Sequence, residues 1–196
     1  MLHTGIAALA TAAVVGTLSG LPKGTLFMES HPPAKSGEAY EKSDSTGKAL
    51  RLNPCDTGKA WDTGRVAVRT MVYTSDDDMD MKDEQLVLYK NVAYAERAMR
   101  QLRTRLARCA VVDKGYLRRS RFFAKPATAG DEALRAGRVN HETSFRYVAM
   151  RRGSTLYIVG ETGRVSKSLP LKDFRDLVGQ ARKMAVKVCD MPGADC

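Results

Sequence analysis

Side-chain alternation sets the first limit on what this chain can fold into. From Arg65 to Thr74 it reads RVAVRTMVYT, with β-branched residues at Val66, Val68, Thr70 and Val72. A period of two sends successive side chains to opposite faces, so this segment is a strand. Residues 85–89, QLVLY, make a second strand, and the short polar link SDDDMDMKDE implies an antiparallel pair. Residues 143–151 place Thr143, Phe145, Tyr147 and Ala149 on one side. A tight turn at Arg152-Gly153-Ser154 leads into residues 155–161, TLYIVGE, completing a hairpin. Residues 116–123 are a weaker strand candidate. Residues 124–140 contain Pro126, Gly130 and Gly137 and read as a long surface loop.

Two segments carry helical spacing instead. Asn91 caps a helix running to about Arg108, with Val92, Ala95, Met99, Leu102 and Leu106 forming one apolar stripe. The last helix is capped by Ser168 or Leu169 and has Pro170 in its first turn, where a missing N–H costs little. Leu171, Phe174, Leu177, Val178, Ala181, Met184 and Val188 line its inner face. The expected order is β-β-α-β-β-β-α: an α+β body with two helices packed on a mainly antiparallel sheet. At 196 residues and 43% hydrophobic content, the chain can build a core. That content excludes wholesale disorder, and no apolar run is long enough for a multi-pass membrane protein.

The expected organisation has three parts. Residues 1–22 read as a signal peptide, since the small, Ala-rich apolar run from Ile6 to Leu18 is too short to span a bilayer. Its flanks fit less well, with no Lys or Arg before it and no clean A-x-A site after it. Residues 23–48, rich in Pro, Ser, Gly, Glu and Lys, read as a flexible linker. The folded domain is expected over 49–196.

Cys55, Cys109, Cys189 and Cys196 are too widely spaced for a C-x-x-C metal or redox motif. An even number behind an export signal points to two structural disulfides. Four cysteines allow three pairings. Cys55–Cys109 with Cys189–Cys196 is favoured, because the first closes a long loop and the second a small terminal knot. The rival, Cys109–Cys189, joins the ends of two helices.

Signatures of catalysis are missing. His141 is the one histidine in the expected body, and no G-x-S-x-G presents a serine to it. The acidic run Asp76, Asp77, Asp78, Asp80, Asp83 and Glu84 lacks the glycine and terminal glutamate of a calcium-binding EF-hand loop, so it reads as a solvated hairpin loop. No glycine-rich nucleotide loop occurs, and neither cofactor nor metal is expected. Lys and Arg number 32 against 22 Asp and Glu, a net charge of +10, densest at Arg118, Arg119 and Arg121. Such charge attracts polyanions. With only 7% aromatic residues to stack on bases, nucleic acid is not the expected partner.

The stretch RVAVRTMVYTSDDDMDMKDEQLVLYKNVAYAERAMRQLRTRLARC, then GDEAL, the hairpin FRYVAMRRGSTLYIVGE and a closing helix resemble the PknH-type extracellular sensor domain of actinobacteria over roughly residues 50–190. The resemblance implies an α+β, disulfide-bearing fold with a ligand cleft and no assigned catalytic residues. With neither a kinase domain nor a membrane span, it implies a stand-alone exported form. The expected function is a secreted, non-enzymatic, sensor-like domain of the cell envelope that binds a small molecule or an envelope component. Trp61 and Tyr73 are candidate cleft walls, with Arg69 and Arg146 as candidate charged anchors. Alternatives are an envelope hydrolase using His141 and a polyanion-binding basic protein using Arg118–Arg121. Ligand and oligomeric state stay open.

Overall fold

The structure is a computed structural model that describes residues 20–55, 57–76, 80–113, 115 and 119–196. Its strands are β1 (Ala39–Ser43), β2 (Arg65–Thr74), β3 (Met81–Tyr89), β4 (Val111–Val112), β5 (Ser120–Ala127), β6 (Glu132–Val139), β7 (Ser144–Arg152) and β8 (Thr155–Thr162). The helices are α1 (Val92–Arg108), between β3 and β4, and α2 (Arg175–Lys187), after β8. All eight strands form one sheet in the order β1-β2-β3-β8-β7-β6-β5-β4. Every neighbouring pair is antiparallel. The chain runs β1 to β3, crosses the sheet through α1, and returns from the far edge as a meander that seats β8 beside β3.

The helices cover opposite faces. Leu86, Leu88, Val148, Met150, Tyr157 and Val159 pack with Leu177, Ala181 and Met184 of α2. The intervening residues Val87, Tyr89, Ala149, Leu156 and Ile158 pack with Met99, Leu102 and Leu106 of α1. Central strands buried on both faces need apolar residues at every position, which is why QLVLY and TLYIV are nearly continuous apolar runs. Asn91 caps α1 by accepting the Tyr94 N–H at 3.2 Å. Arg105 and Arg108 in the last turn complement its dipole. No helix among the described residues is long and apolar enough to cross a membrane.

The α+β architecture and its paired helices agree with the sequence; several local expectations do not. Residues 23–48, expected as a flexible linker, are built into the body. They supply β1 on the sheet edge, and Leu26 is fully buried under α2. Tyr40 stacks on His31 at 3.6 Å and leans on Tyr73 at 5.0 Å. Of the expected signal peptide, residues 1–19 lie outside the described residues, whereas Leu21 is packed into the core. Residues 124–140, expected as a loop, hold the end of β5 and all of β6. Pro126 fits there because β4 pairs only with the first residues of β5, leaving the rest an edge that needs no N–H donor. The closing helix begins at Arg175, after a 3-10 turn over Leu171–Phe174.

The acidic stretch also departs from expectation. Residues 77–79 lie outside the described set, but Asp83 and Glu84 are 1% and 0% exposed inside β3. Glu84 points toward α2 and accepts from the Met28 N–H (2.6 Å), the Tyr157 hydroxyl and the Gln180 amide. Three donors make a buried carboxylate tolerable where none would be ruinous.

Two disulfides staple the body. Cys55–Cys109 ties the segment before β2 to the end of α1, across 54 positions. Cys189–Cys196 closes a loop of seven positions at the C-terminus. That loop sits on the β7–β8 turn, where the Ser154 hydroxyl donates to the Gly193 carbonyl and accepts from the Asp195 N–H.

Asp131 holds the other side of the same turn through Arg151, Arg152 and the Gly153 N–H. Burial opposes its ionisation, but the Gly153 N–H and the two guanidiniums outweigh it and keep the carboxyl below its ordinary value. A group depressed in the folded state contributes stability above its unfolded value, and loses it as pH falls through the folded one. The melting temperature is therefore expected to fall more steeply below about pH 4 in the native chain than in Asp131→Asn. Parallel thermal melts between pH 7 and pH 3 check this; superimposable profiles contradict it.

Candidate functional site

A cleft of about 390 Å³ opens on the α1 face of the sheet. Its floor is Phe145 and Tyr147 of β7, its sides are Arg138 of β6 and Met81 of β3, and its roof is the irregular segment around Ala49, Arg51, Asn53 and Gly58. The alternation of β7 puts Phe145 and Tyr147 on one face, with rings stacked at 5.9 Å. Two attachments fix the roof: the Cys55–Cys109 bond, and Gln85, whose amide oxygen accepts the Arg51 N–H at 3.0 Å while its nitrogen donates to the Ala49 carbonyl at 3.1 Å.

Charge in the cleft is arranged unevenly. Arg51 donates to Asp83 through Nε at 3.0 Å and Nη2 at 3.0 Å. Burial pushes the Asp83 carboxyl up, against the pull of Arg51. Burial also opposes the charge on Arg51, but the Asp83 carboxylate outweighs it and raises its pKa. Burial, reinforced by Asp83, drives the Tyr147 hydroxyl above the usual tyrosine range, so it stays protonated and able to donate.

Arg138 is different. Among the described residues no carboxylate pairs with it; its guanidinium lies 5.9 Å from the centre of the Phe145 ring, within reach of the Tyr147 hydroxyl. Its Nε and the Asn53 Oδ1 are buried polar atoms without a hydrogen-bond partner. Arg65, Arg69, Arg146 and Arg151, by contrast, are each met by carboxylates.

Gly160 makes the floor possible. It lies between Asp83 and Tyr147 in the strand register, and a Cβ there would sit 2.4 Å from the Tyr147 ring and 2.9 Å from Asp83 Oδ1. Gly160→Ala must displace Tyr147, with an expected loss of about 1–3 kcal/mol in urea unfolding and a changed near-ultraviolet tyrosine signal. An unaltered spectrum and midpoint would contradict this packing.

The four side chains proposed from sequence lie elsewhere. Trp61 is on the α1 side, with Arg105 4.5 Å from its ring and its indole N–H buried without a partner. Arg69, Tyr73 and Arg146 project from the α2 side. Arg69 bonds Asp44 at 2.8 Å and Glu29 at 3.3 Å. Tyr73 donates to Glu38 at 3.2 Å. Arg146 reaches Glu161, Asp176 and the Asp173 carbonyl. The structure thus separates Trp61 from the other three by the thickness of the sheet, and both arginines are committed to ion pairs. His141 is exposed in the β6–β7 turn. Of the basic cluster, Arg118 lies outside the described residues, Arg119 is 3.6 Å from Asp113 and Arg121 is exposed.

Nothing in the sequence singles out Arg138, because its strand, with Gly137 inside it and Pro126 and Gly130 before it, carries the composition of a loop. Phe145 and Tyr147 were visible as an alternating pair, but nothing showed which face of β7 would be left open.

No protein-family model matches the chain, and no curated protein does. Among solved structures it is similar to the extracellular domain of PknH from Mycobacterium tuberculosis, at 12% sequence identity and a TM-score of 0.49, covering 79% of this chain and 84% of that one.

Proposed function

We propose that this protein is a secreted, non-enzymatic, sensor-like domain of the PknH type that binds a small molecule or envelope component in the Arg138 cleft. The observation that carries this reading is the cleft itself: a pre-formed concavity with a roof held by a disulfide and an arginine that no carboxylate among the described residues pairs with. Small-molecule sites are typically concave and pre-formed, with a few polar groups set among apolar walls. Two disulfides and no free cysteine among the described residues suit an oxidising exterior compartment. Native mass spectrometry of protein recovered from the culture medium of its own host tests the reading. A bound small molecule that disappears in an Arg138→Gln, Tyr147→Phe double variant is the expected result. A molecule retained by that variant, or repeated isolation of the bare chain mass alone, counts against it.

A further inference from the structure

We infer that the cleft selects ligands bearing an oxyanion, a carboxylate or phosphate group, which docks on the Arg138 guanidinium beside Phe145 and Tyr147. This inference rests on the cleft being the binding site and adds the chemical class of what enters it.

The first argument is charge. Among the described residues, two guanidiniums and one carboxylate, those of Arg51, Arg138 and Asp83, meet at the cleft. The pair Arg51–Asp83 is internally compensated, and Glu41 adds a weaker attraction to Arg51. Arg138 is left as the net positive charge. In this arginine-rich body, a guanidinium turned inward is otherwise answered by acidic groups, as at Arg65, Arg69 and Arg151. Arg105 and Arg135 are further exceptions among the described residues, but Arg105 rests on the Trp61 ring, Arg135 donates to the Leu169 and Pro126 carbonyls, and neither lines this cleft.

The second argument is geometry. Arg138 is half-buried, and the Phe145 face steadies its guanidinium without consuming the donors that an ion pair would occupy. A planar guanidinium held this way presents paired N–H groups in the fork that matches two oxygens of a carboxylate or phosphate. Tyr147 adds a hydroxyl donor on the same side. Asn53, whose Oδ1 lacks a partner, stands on the roof as a polar group for a donor on the ligand. Desolvating a cation without a counter-charge is unfavourable, and an oxyanion entering the cleft offsets that cost.

The test uses the disulfide-intact secreted chain, isotopically labelled for NMR, with benzoate, phenyl phosphate and benzamide as probes. Benzamide has the shape of benzoate without its charge. Benzoate or phenyl phosphate is expected to move the Arg138 Nε–H, Phe145 and Tyr147 resonances with a Kd on the order of 1 mM, as suits such small probes. The tighter of the two identifies the oxyanion source. Benzamide is expected to bind about tenfold more weakly or worse, Arg138→Gln to lose about tenfold for the anions, and Arg138→Lys to retain part of the affinity. Arg105→Gln, outside the cleft, is expected to leave the titration unchanged.

Benzamide binding as tightly as benzoate in the cleft overturns the oxyanion class while the cleft remains a binding site. The same holds if folded Arg138→Gln and Arg138→Lys both bind the anions as the native chain does. Silence of the cleft resonances toward all three probes overturns the inference too, and leaves the broader reading to the native mass spectrum.

Discussion

Replacing Asp62 with alanine is expected to remove about 3–5 kcal/mol of stability, the usual cost of stripping one partner from a buried ion pair. The Asp62 side chain is 1% exposed and that of Arg65 is 4% exposed. Arg65 Nε donates to Asp62 at 2.9 Å, its Nη2 donates to the other carboxylate oxygen, and Tyr89 adds its hydroxyl. Arg65 also reaches the Lys48 carbonyl at 2.6 Å, so this cluster pins the segment before β2 against the sheet. In Asp62→Ala the guanidinium stays buried with only carbonyl partners, and the Tyr89 hydroxyl is orphaned. The loss should thus exceed what the ion pair itself is worth. Asp62→Ala combined with Arg65→Met and Tyr89→Phe is expected to recover much of it, because an apolar cluster of similar volume has no charge to compensate. Urea unfolding of both variants reads this as two midpoints at similar slope. A single variant within about 1 kcal/mol of the native chain would show that water reaches the site.

The same rule organises the rest of the interior. Asp83 and Glu84 are neighbours in β3, so the pleat sends them to opposite faces. Asp83 finds Arg51 under the cleft roof, while Glu84 finds the N-terminal segment, β8 and α2. Each carboxylate therefore stitches a peripheral piece of chain to the centre of the sheet, and in that role charge replaces apolar packing.

This arrangement explains which features could be read from the sequence. α1 showed as a stripe because one side of it faces the sheet, whereas β3 and β8 showed as near-continuous apolar runs and β2 as a β-branched one because their central residues are buried on both faces. β6 escaped because its residues, EALRAGRV, combine an inward glycine with arginines whose stems and heads find local partners. Gly137 is required by Val165 and Leu169, which a Cβ would strike at 2.2 Å and 3.0 Å. β1 escaped because an edge strand with a burial pattern this open has no apolar stripe to detect. The run of acids leading into β3 looked solvated because composition cannot show that arginine, tyrosine and glutamine from distant positions converge on its last two members, Asp83 and Glu84. The cleft was hidden for a related reason: Arg51, Arg138 and Tyr147 are 87 and 9 positions apart in sequence and meet only through the β6–β7 register and the disulfide-held roof.

The largest remaining effect is expected from that roof. Replacing Cys55 and Cys109 together with serine frees a loop of 54 positions in the unfolded chain, worth about 4 kcal/mol in the chain-entropy model. Cys189→Ser with Cys196→Ser frees only seven positions, and the same model gives about 2.5 kcal/mol. The order of the two losses is the informative quantity, since strain and residual structure shift each value separately. Beyond stability, the first pair should act on the cleft. With Cys55 untethered from α1, the hydrogen bonds that hold Arg51 among the described residues are those to Gln85 and Asp83, so hydrogen exchange at the Arg51 amide is expected to accelerate well ahead of exchange in β7 and β8. The second pair lies on the β7–β8 turn, far from the roof in the strand register, and should leave that amide protected. Equal acceleration in both double variants would mean that the roof opens with the whole domain, and a cleft built that way would have no separate local rigidity to offer a ligand.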